Sequence, residues 1–168
     1  MGDPDFVKIP IDTLINDKYL LNRMKDFSFS KATSSSKINP GEIISWKESE
    51  ETTHFSIIDQ FGNAISTTTT LNASYGSKVY VEKYGFFLNN EMDDFSSKPG
   101  TQNMFGLIGG KANSIEPGKR MLSSMTPTII EKDGSLYMIL GTPGGSTIIT
   151  SVFQVILNAY EFGMNIQD

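Results

Sequence analysis

The chain has 168 residues, with 14 basic and 19 acidic side chains, a net charge of −5, a single histidine and no cysteine. This composition excludes disulfides, a thiol nucleophile and a His/Cys metal cluster, and it shows no basic cluster of the kind that binds nucleic acid. No apolar run is long enough to span a membrane, and Met1-Gly2-Asp3-Pro4-Asp5-Phe6 is neither a signal peptide nor a myristoylation motif. The length predicts one domain with a sizeable core, burying roughly 70% of the unfolded surface.

Residues 2–7 read as a turn leading into an extended piece. Residues 11–27 place Leu14, Ile15, Leu20, Leu21 and Met24 between charges, which predicts one or two short helices. Residues 28–48 shift to Ser, Lys, Pro and Gly and read as a loop or linker. A β-hairpin follows. His54-Phe55-Ser56-Ile57-Ile58-Asp59 is the first strand, Gln60-Phe61-Gly62-Asn63 the turn, and residues 64–71, rich in Ile and Thr, the return strand. A turn centred on Phe61 puts Thr52 opposite Thr70. Directly opposed residues have Cβ atoms roughly 5 Å apart, within reach of a hydroxyl–hydroxyl hydrogen bond. Taken alone, two opposed threonines are an ordinary strand pair.

Beyond the hairpin, Asn72-Ala73-Ser74-Tyr75-Gly76 is a loop, and its glycosylation sequon reads as coincidence. Residues 79–81 and 85–90 are candidate strands. Glu91-Met92-Asp93-Asp94 sets three carboxylates within four residues, a pattern that most often marks a solvated acidic turn. Residues 99–110, bounded by Pro and Gly, are a loop. Residues 125–131 and 136–140 are strands joined by Asp133-Gly134, a hairpin turn signal. After Gly141-Thr142-Pro143-Gly144-Gly145-Ser146, residues 147–162 read as an amphipathic helix with Ile149, Val152, Phe153, Ile156, Ala159 and Tyr160 on one face and Gly163 as its stop. Strands grouped apart from helices predict an α+β layered fold. Gly144-Gly145 between a strand and a helix start offers outward backbone N–H groups. A tight turn or a phosphate loop would read the same, although the lysine of a Walker sequence is absent.

Thr52-Thr53-His54-Phe55-Ser56, Asp59, Gly62-Asn63-Ala64 and Thr70-Leu71-Asn72, in this order, resemble the start of the small subunit of the gamma-glutamyltransferase family. The resemblance continues through Leu88-Asn89-Asn90-Glu91-Met92-Asp93-Asp94-Phe95-Ser96, Leu122-Ser123-Ser124-Met125 and Pro143-Gly144-Gly145-Ser146. It implies the four-layer αββα sandwich of the N-terminal-nucleophile hydrolases, present here in part. It further implies that residues 1–51 correspond to the tail of the large subunit with a linker, and residues 52–168 to a C-terminally truncated small-subunit core, so that the chain is an internal fragment.

The resemblance also assigns roles. A threonine hydroxyl needs a base, and a chain-terminal threonine carries one in its α-amine, with pKa about 7.7–8.0. Thr52 gains that amine when the Glu51–Thr52 bond is cut by its own hydroxyl. Thr70 orients Thr52, and Gly144 and Gly145 form the oxyanion hole. Asn72, Glu91 and Asp94 receive the substrate α-amino group, Ser123 and Ser124 its α-carboxylate, and residues 99–110 form a lid with Phe105 where some members have tyrosine. Thr53 and His54 are ordinary strand residues, and no serine is expected beside His54. The family's carboxylate-binding arginine has no counterpart here, Arg120 reads as structural, and Thr147 replaces an arginine common after Gly-Gly-Ser. The expected activity is transfer of a γ-glutamyl group from glutathione or a related compound to water or an amino acceptor, without metal or cofactor. Expected partners are γ-glutamyl small molecules and the remaining large-subunit segment, in a periplasmic or extracellular setting. The alternatives are a non-catalytic, uncleaved fragment and a poly-γ-glutamate or acyl-amide hydrolase on the same scaffold.

Overall fold

The computed structural model describes residues 2–34, 37, 52–104, 106–165 and 167. Glu51 and Phe105, expected at the cleavage bond and on the lid, lie outside the described residues, as does much of the 28–48 linker.

Residues 11–27 do split into two short helices, α1 (Ile11–Leu14) and α2 (Asp17–Arg23). Asn16 caps α2, its side-chain oxygen accepting from the Lys18 and Tyr19 amides at 3.0 and 3.4 Å. Two first-turn donors that the helix itself cannot satisfy are thereby paired. Ahead of them, the Asp3 carboxylate is buried and reaches across the chain to Arg120, taking its backbone N–H at 2.9 Å, Nε at 3.1 Å and Nη2 at 2.6 Å. The Arg120 guanidinium also pairs with Asp5 at 2.6 Å and holds the Asp3 carboxyl far below the usual carboxylate range. The structural reading of Arg120 is therefore what its contacts support.

Strands β1 (Thr52–Ile58) and β2 (Ala64–Thr70) pair antiparallel in the expected register, from Thr52↔Thr70 to Ile58↔Ala64. Asp59 builds the turn: Oδ1 accepts from the Phe61 and Asn63 amides at 2.8 and 2.9 Å, and Oδ2 from Asn63 Nδ2 at 2.7 Å. Gly62 supplies the positive φ of 86° that the turn needs. A one-residue slip would undo this turn and turn every strand side chain to the opposite face.

The candidate strands at 79–81 and 85–90 shrink to a two-residue ladder of β3 (Tyr80–Val81) and β4 (Phe86–Phe87). Ring packing holds them, with Phe87 5.3 Å from Tyr75 and 5.0 Å from Tyr80 between centroids. Strand β5 (Thr128–Lys132) starts three residues later than expected, after Pro127, which has no N–H to give a ladder. It pairs with β6 (Ser135–Leu140) across Asp133 and Gly134, whose φ values of 55° and 75° make the two-residue turn that matches strand twist.

Helix α3 (Ile148–Tyr160) follows a single 3-10 turn, Gly145–Thr147. Of its expected inner face Val152 is buried, whereas Ile149 and Phe153 are more than half exposed, and Ile148, outside the expected face, is buried. At its far end Tyr160 meets Tyr137 of β6 edge-on at 6.2 Å, with Lys132 Nζ over both rings.

The class is α+β, with three two-stranded antiparallel sheets among the described residues. The β1–β2 and β5–β6 hairpins lie side by side. Ser66 Oγ donates to the Leu140 carbonyl at 3.1 Å, and the His54 ring lies where a Cβ on Gly141 would stand, so only glycine permits that approach. The expected sizeable core is not built: among the described residues the buried hydrophobics are Phe95, Ile148 and Val152. The apolar side chains of the hairpin stay open, with Ile57, Ile58 and Ile65 all more than half exposed. Among the described residues no helix is long and apolar enough to cross a membrane.

Candidate active site

The end of β2, the turn at Glu91–Asp94, the 99–110 segment, the stretch before β5 and the start of α3 surround one cavity of about 560 Å³. That volume suits a small, mostly buried ligand. Thr70, Asn72, Asp94, Ser123, Ser124 and Gly145 all reach its wall. Thr52 does not line the cavity, but the hairpin register sets it directly across from Thr70 at the rim. Gly144 adjoins Gly145, and Glu91 stands behind Asp94, hydrogen-bonded to its carboxyl.

Asn72 is held in a conformation that only a few side chains tolerate, with φ of 74°. Its backbone N–H donates to Thr70 Oγ1 at 2.9 Å, its Nδ2 to the Asn90 carbonyl at 3.2 Å and to the Met104 sulfur at 3.8 Å. The Asn90 side chain fixes the same loop by accepting from the Ala73 amide at 3.0 Å. With both Nδ2 protons directed at acceptors, the amide orientation is settled, and Oδ1 accepts from no described group. A carbonyl oxygen of this kind is what an ammonium requires. At 7% exposure Asn72 is also closed to glycosylation, in line with the coincidental sequon.

Glu91–Asp94 is a 3-10 turn, and its carboxylates are not the solvated run that their spacing alone suggests. Burial is the main cause that pushes the Glu91 carboxyl up to about 7, and the neighbouring Asp94 charge and hydrogen bond add to it. Burial raises Asp94 as well, partly offset by the hydrogen bond from Glu91. Burial and the neighbouring charge both favour the protonated form of Glu91, and a bound cation would favour the ionised one. The third carboxylate, Asp93, accepts from the Met104 amide at 3.0 Å and so pins the 99–110 segment, whose Gln102 and Ile108 pair across it.

Ser123 and Ser124 do different things. Ser124 Oγ donates to the Gly145 carbonyl at 2.6 Å. Ser123 Oγ accepts from the Met125 amide at 3.2 Å, so its own proton is directed at no described group. Gly144 has φ of 135° and Gly145 φ of 54°, a backbone that side chains with a Cβ rarely adopt. The Gly144 carbonyl is held by the Thr147 amide at 3.1 Å and its hydroxyl at 2.9 Å. Thr147 thus anchors the loop locally. The amides of Gly144 and Gly145 donate to no described group, which leaves two adjacent backbone donors at the cavity edge.

Sequence reasoning misplaced one neighbour and missed another. His54 Nε2 lies 3.1 Å from Ser56 Oγ, so a serine does stand beside it, and its Nδ1 lies 2.8 Å from Thr68 Oγ1. No carboxylate orients the ring through these contacts, and the histidine bridges strands. The missed residue is Asn113, buried at 5% exposure in the cavity wall. It follows no motif, and a single asparagine in a loop carries no spacing signal.

The whole chain, residues 1–168, matches the family profile described as Gamma-glutamyltranspeptidase. The chain belongs to the gamma-glutamyltranspeptidase family. It is 46% identical over 168 residues to the glutathione hydrolase proenzyme of Escherichia coli and 50% identical over 167 residues to that of Pseudomonas aeruginosa. These alignments cover 100% and 99% of this chain and 29% of either relative. The gamma-glutamyltranspeptidase of Pseudomonas nitroreducens, solved with L-DON, superposes with a TM-score of 0.66 at 60% identity, covering 68% of this chain and 59% of that one. The fold is accordingly that of the gamma-glutamyltranspeptidases, which are N-terminal-nucleophile hydrolases, and the chain spans under a third of the length of the curated relatives it matches.

Proposed function

We propose that this chain supplies the nucleophile and most of the donor pocket of a gamma-glutamyltransferase that acts on glutathione or a related γ-glutamyl compound. Residues 1–51 would be the end of the large-subunit region with its linker, and residues 52–168 the small-subunit core. The observation that carries the reading is the convergence of Thr70, Asn72, Asp94, Ser123, Ser124 and Gly145 on one cavity, with Thr52 registered opposite Thr70.

The chemistry follows from that convergence. Thr52 Oγ first attacks the Glu51 carbonyl, the acyl group shifts from nitrogen to oxygen, and water hydrolyses the resulting ester. Thr52 is left as a new amino terminus whose amine serves as its base. In turnover the amine takes the Thr52 hydroxyl proton as Oγ attacks the γ-carbonyl, and returns it to the departing amine. The γ-glutamyl ester on Thr52 then passes to water or to an acceptor amine. The Gly144 and Gly145 amides face the oxyanion of each tetrahedral intermediate. Asn72 Oδ1 with the Glu91–Asp94 pair takes the α-ammonium, and Ser123 the α-carboxylate. A periplasmic or extracellular enzyme completed by further large-subunit sequence fits this role.

A polymer-cleaving hydrolase fits less well, because residues 101–103 and 107–109 wall the cavity and narrow the cleft that a chain would thread. The test is a proenzyme of full family length carrying this sequence. It should release chromophore from a γ-glutamyl anilide, respond to a dipeptide acceptor, and expose Thr52 on amino-terminal sequencing. Thr52→Ala should abolish both cutting and turnover, and Thr52→Ser should retain some of each. Activity on an α-glutamyl anilide but not on the γ-isomer, or a cut at another bond, would overturn the reading.

A further inference from the structure

We propose that Asn113 is a positioning residue that sets the spacing between the two ends of the donor's amino-acid head, an inference that rests on the γ-glutamyl reading of the cavity. Asn113 sits in a short 3-10 turn, Lys111–Asn113, between the 99–110 segment and the serine pair. Its Nδ2 donates to the Asp94 carbonyl at 2.7 Å. Its Oδ1 accepts from the Leu122 amide at 3.1 Å, one residue before Ser123. A single planar amide therefore ties the backbone of Asp94, whose carboxyl is assigned to the ammonium, to the backbone one residue before the serine assigned to the carboxylate. Its backbone is fixed on both sides, since the Asn113 carbonyl accepts from the Ser96 amide at 2.9 Å and its N–H donates to the Gly110 carbonyl at 3.0 Å.

The two side-chain bonds admit one amide orientation only. The Asp94 carbonyl needs a donor and the Leu122 amide needs an acceptor, so the nitrogen and oxygen cannot exchange. Both bonds are made at a residue with 5% exposure, where water cannot substitute for a lost partner. No side chain of Asp94 or Ser123 is needed for either bond. The residue acts on the backbone beneath both groups, and this distinguishes it from a ligand-binding side chain. A zwitterionic head requires a fixed separation between its anion-binding and cation-binding sites. The rigid amide supplies that separation, and loss of either bond lets the two backbones move independently.

Three donors separate this role from a general loss of structure: a γ-glutamyl anilide, a glutaryl anilide without the α-amino group, and a 4-aminobutyryl anilide without the α-carboxylate. In the full-length proenzyme, Asn113→Ala should raise KM for the γ-glutamyl donor by roughly ten- to hundredfold, the range for losing one or two buried hydrogen bonds. It should leave self-cleavage intact and change the two single-charge donors by less than about threefold, because neither spans the two sites. Asn113→Asp keeps the shape and the acceptor for Leu122 but sets a carboxylate oxygen against the Asp94 carbonyl, and that repulsion displaces the ammonium site itself, so it should weaken the 4-aminobutyryl donor more than the glutaryl one. Equal losses on all three donors, or a fall in kcat with KM unchanged, would overturn the proposal. Amide hydrogen exchange at Leu122 separates its failure from failure of the functional reading. The parent should protect this amide and Asn113→Ala should lose that protection whether or not the enzyme turns over. An unprotected Leu122 in the parent overturns the bridge, whereas a protected Leu122 in a protein with no preference for γ-glutamyl donors overturns the substrate assignment on which the proposal stands.

Discussion

Replacing the two neighbouring serines one at a time should damage two different kinetic constants. Ser123 has a hydroxyl proton to give, and a hydrogen bond to a charged carboxylate is worth about 1.5–3 kcal/mol. Ser123→Ala should therefore raise KM for a γ-glutamyl donor roughly 10- to 150-fold, at 1.36 kcal/mol per factor of ten, with little change in kcat. Ser124 directs its proton at the Gly145 carbonyl, 2.6 Å away. That neutral bond contributes about 0.5–1.5 kcal/mol, so Ser124→Ala should cost about 2- to 12-fold. The loss should appear in kcat, because the role proposed for the Gly145 amide is to face the oxyanion and not the ground-state carbonyl. Complete removal of an oxyanion donor costs about 10²–10³ in other hydrolases, so a loosened donor belongs below that range. Initial rates with a γ-glutamyl anilide at saturating acceptor supply both constants, and a 4-aminobutyryl anilide supplies the control. The Ser123→Ala effect should vanish on this donor and the Ser124→Ala effect should remain. A Ser123→Ala enzyme with normal KM and depressed kcat, or a Ser124→Ala enzyme with the reverse, would refute the division.

The carboxyl pair and the amino-terminal clamp give two pH predictions. Glu91 has its pKa raised to about 7, so the acid form dominates below that pH, and a neutral carboxyl holds an ammonium more weakly than a carboxylate does. KM for a γ-glutamyl donor should accordingly rise as pH falls through 7, Glu91→Gln should flatten that limb, and a profile unchanged by Glu91→Gln would remove Glu91 from the site. Asp3 is shifted the other way, chiefly by Arg120, so its contribution to stability is full above the unfolded carboxylate pKa near 3.9 and is lost progressively at lower pH. Arg120→Ala should lower Tm at pH 7 and close the gap to the parent as pH drops below about 4. An equal gap at both pH values would show that Arg120 acts through packing alone.

The parts of this chain legible in its sequence are those set by local rules. The β1–β2 register follows from one turn centre, and the β5–β6 turn from Asp133-Gly134, because hairpin geometry is decided within a few residues. The site motifs were legible as strings whose order matched a family, and the structure gathers six of those residues around one cavity. The burial pattern was not legible. Periodicity on α3 picked out Val152, which is buried, together with Ile149 and Phe153, which are exposed, and left out the buried Ile148, since a helix with apolar residues around most of its circumference does not say which arc meets the sheet. Asn113 and Asp3 were invisible for a related reason. Each acts through a contact far along the chain, Asp3 with Arg120 and Asn113 with Asp94, and no period or spacing encodes a partner at that separation.

The isolated 168-residue chain should remain uncut at Glu51–Thr52. Cutting requires the Thr52 hydroxyl to be aimed at the preceding carbonyl and requires donors fixed at the oxyanion, both of which depend on rigid strands. The strand that carries Thr52 is paired with β2 along one edge, whereas Ile57 and Ile58 near its far end stay more than half exposed. Open apolar strand faces contribute little to holding one geometry, because the stabilisation of a sheet comes from buried cross-strand and cross-layer contacts. The cavity is incomplete in charge as well. Its described wall carries Asp94, the proposed partner of the ammonium, but no lysine or arginine. Intact mass after prolonged incubation at neutral pH decides the matter. A single species of unchanged mass is expected for the isolated chain, against two fragments for the full-length proenzyme. Rapid cutting of the isolated chain would show that the hairpin and the glycine loop alone suffice for the first step.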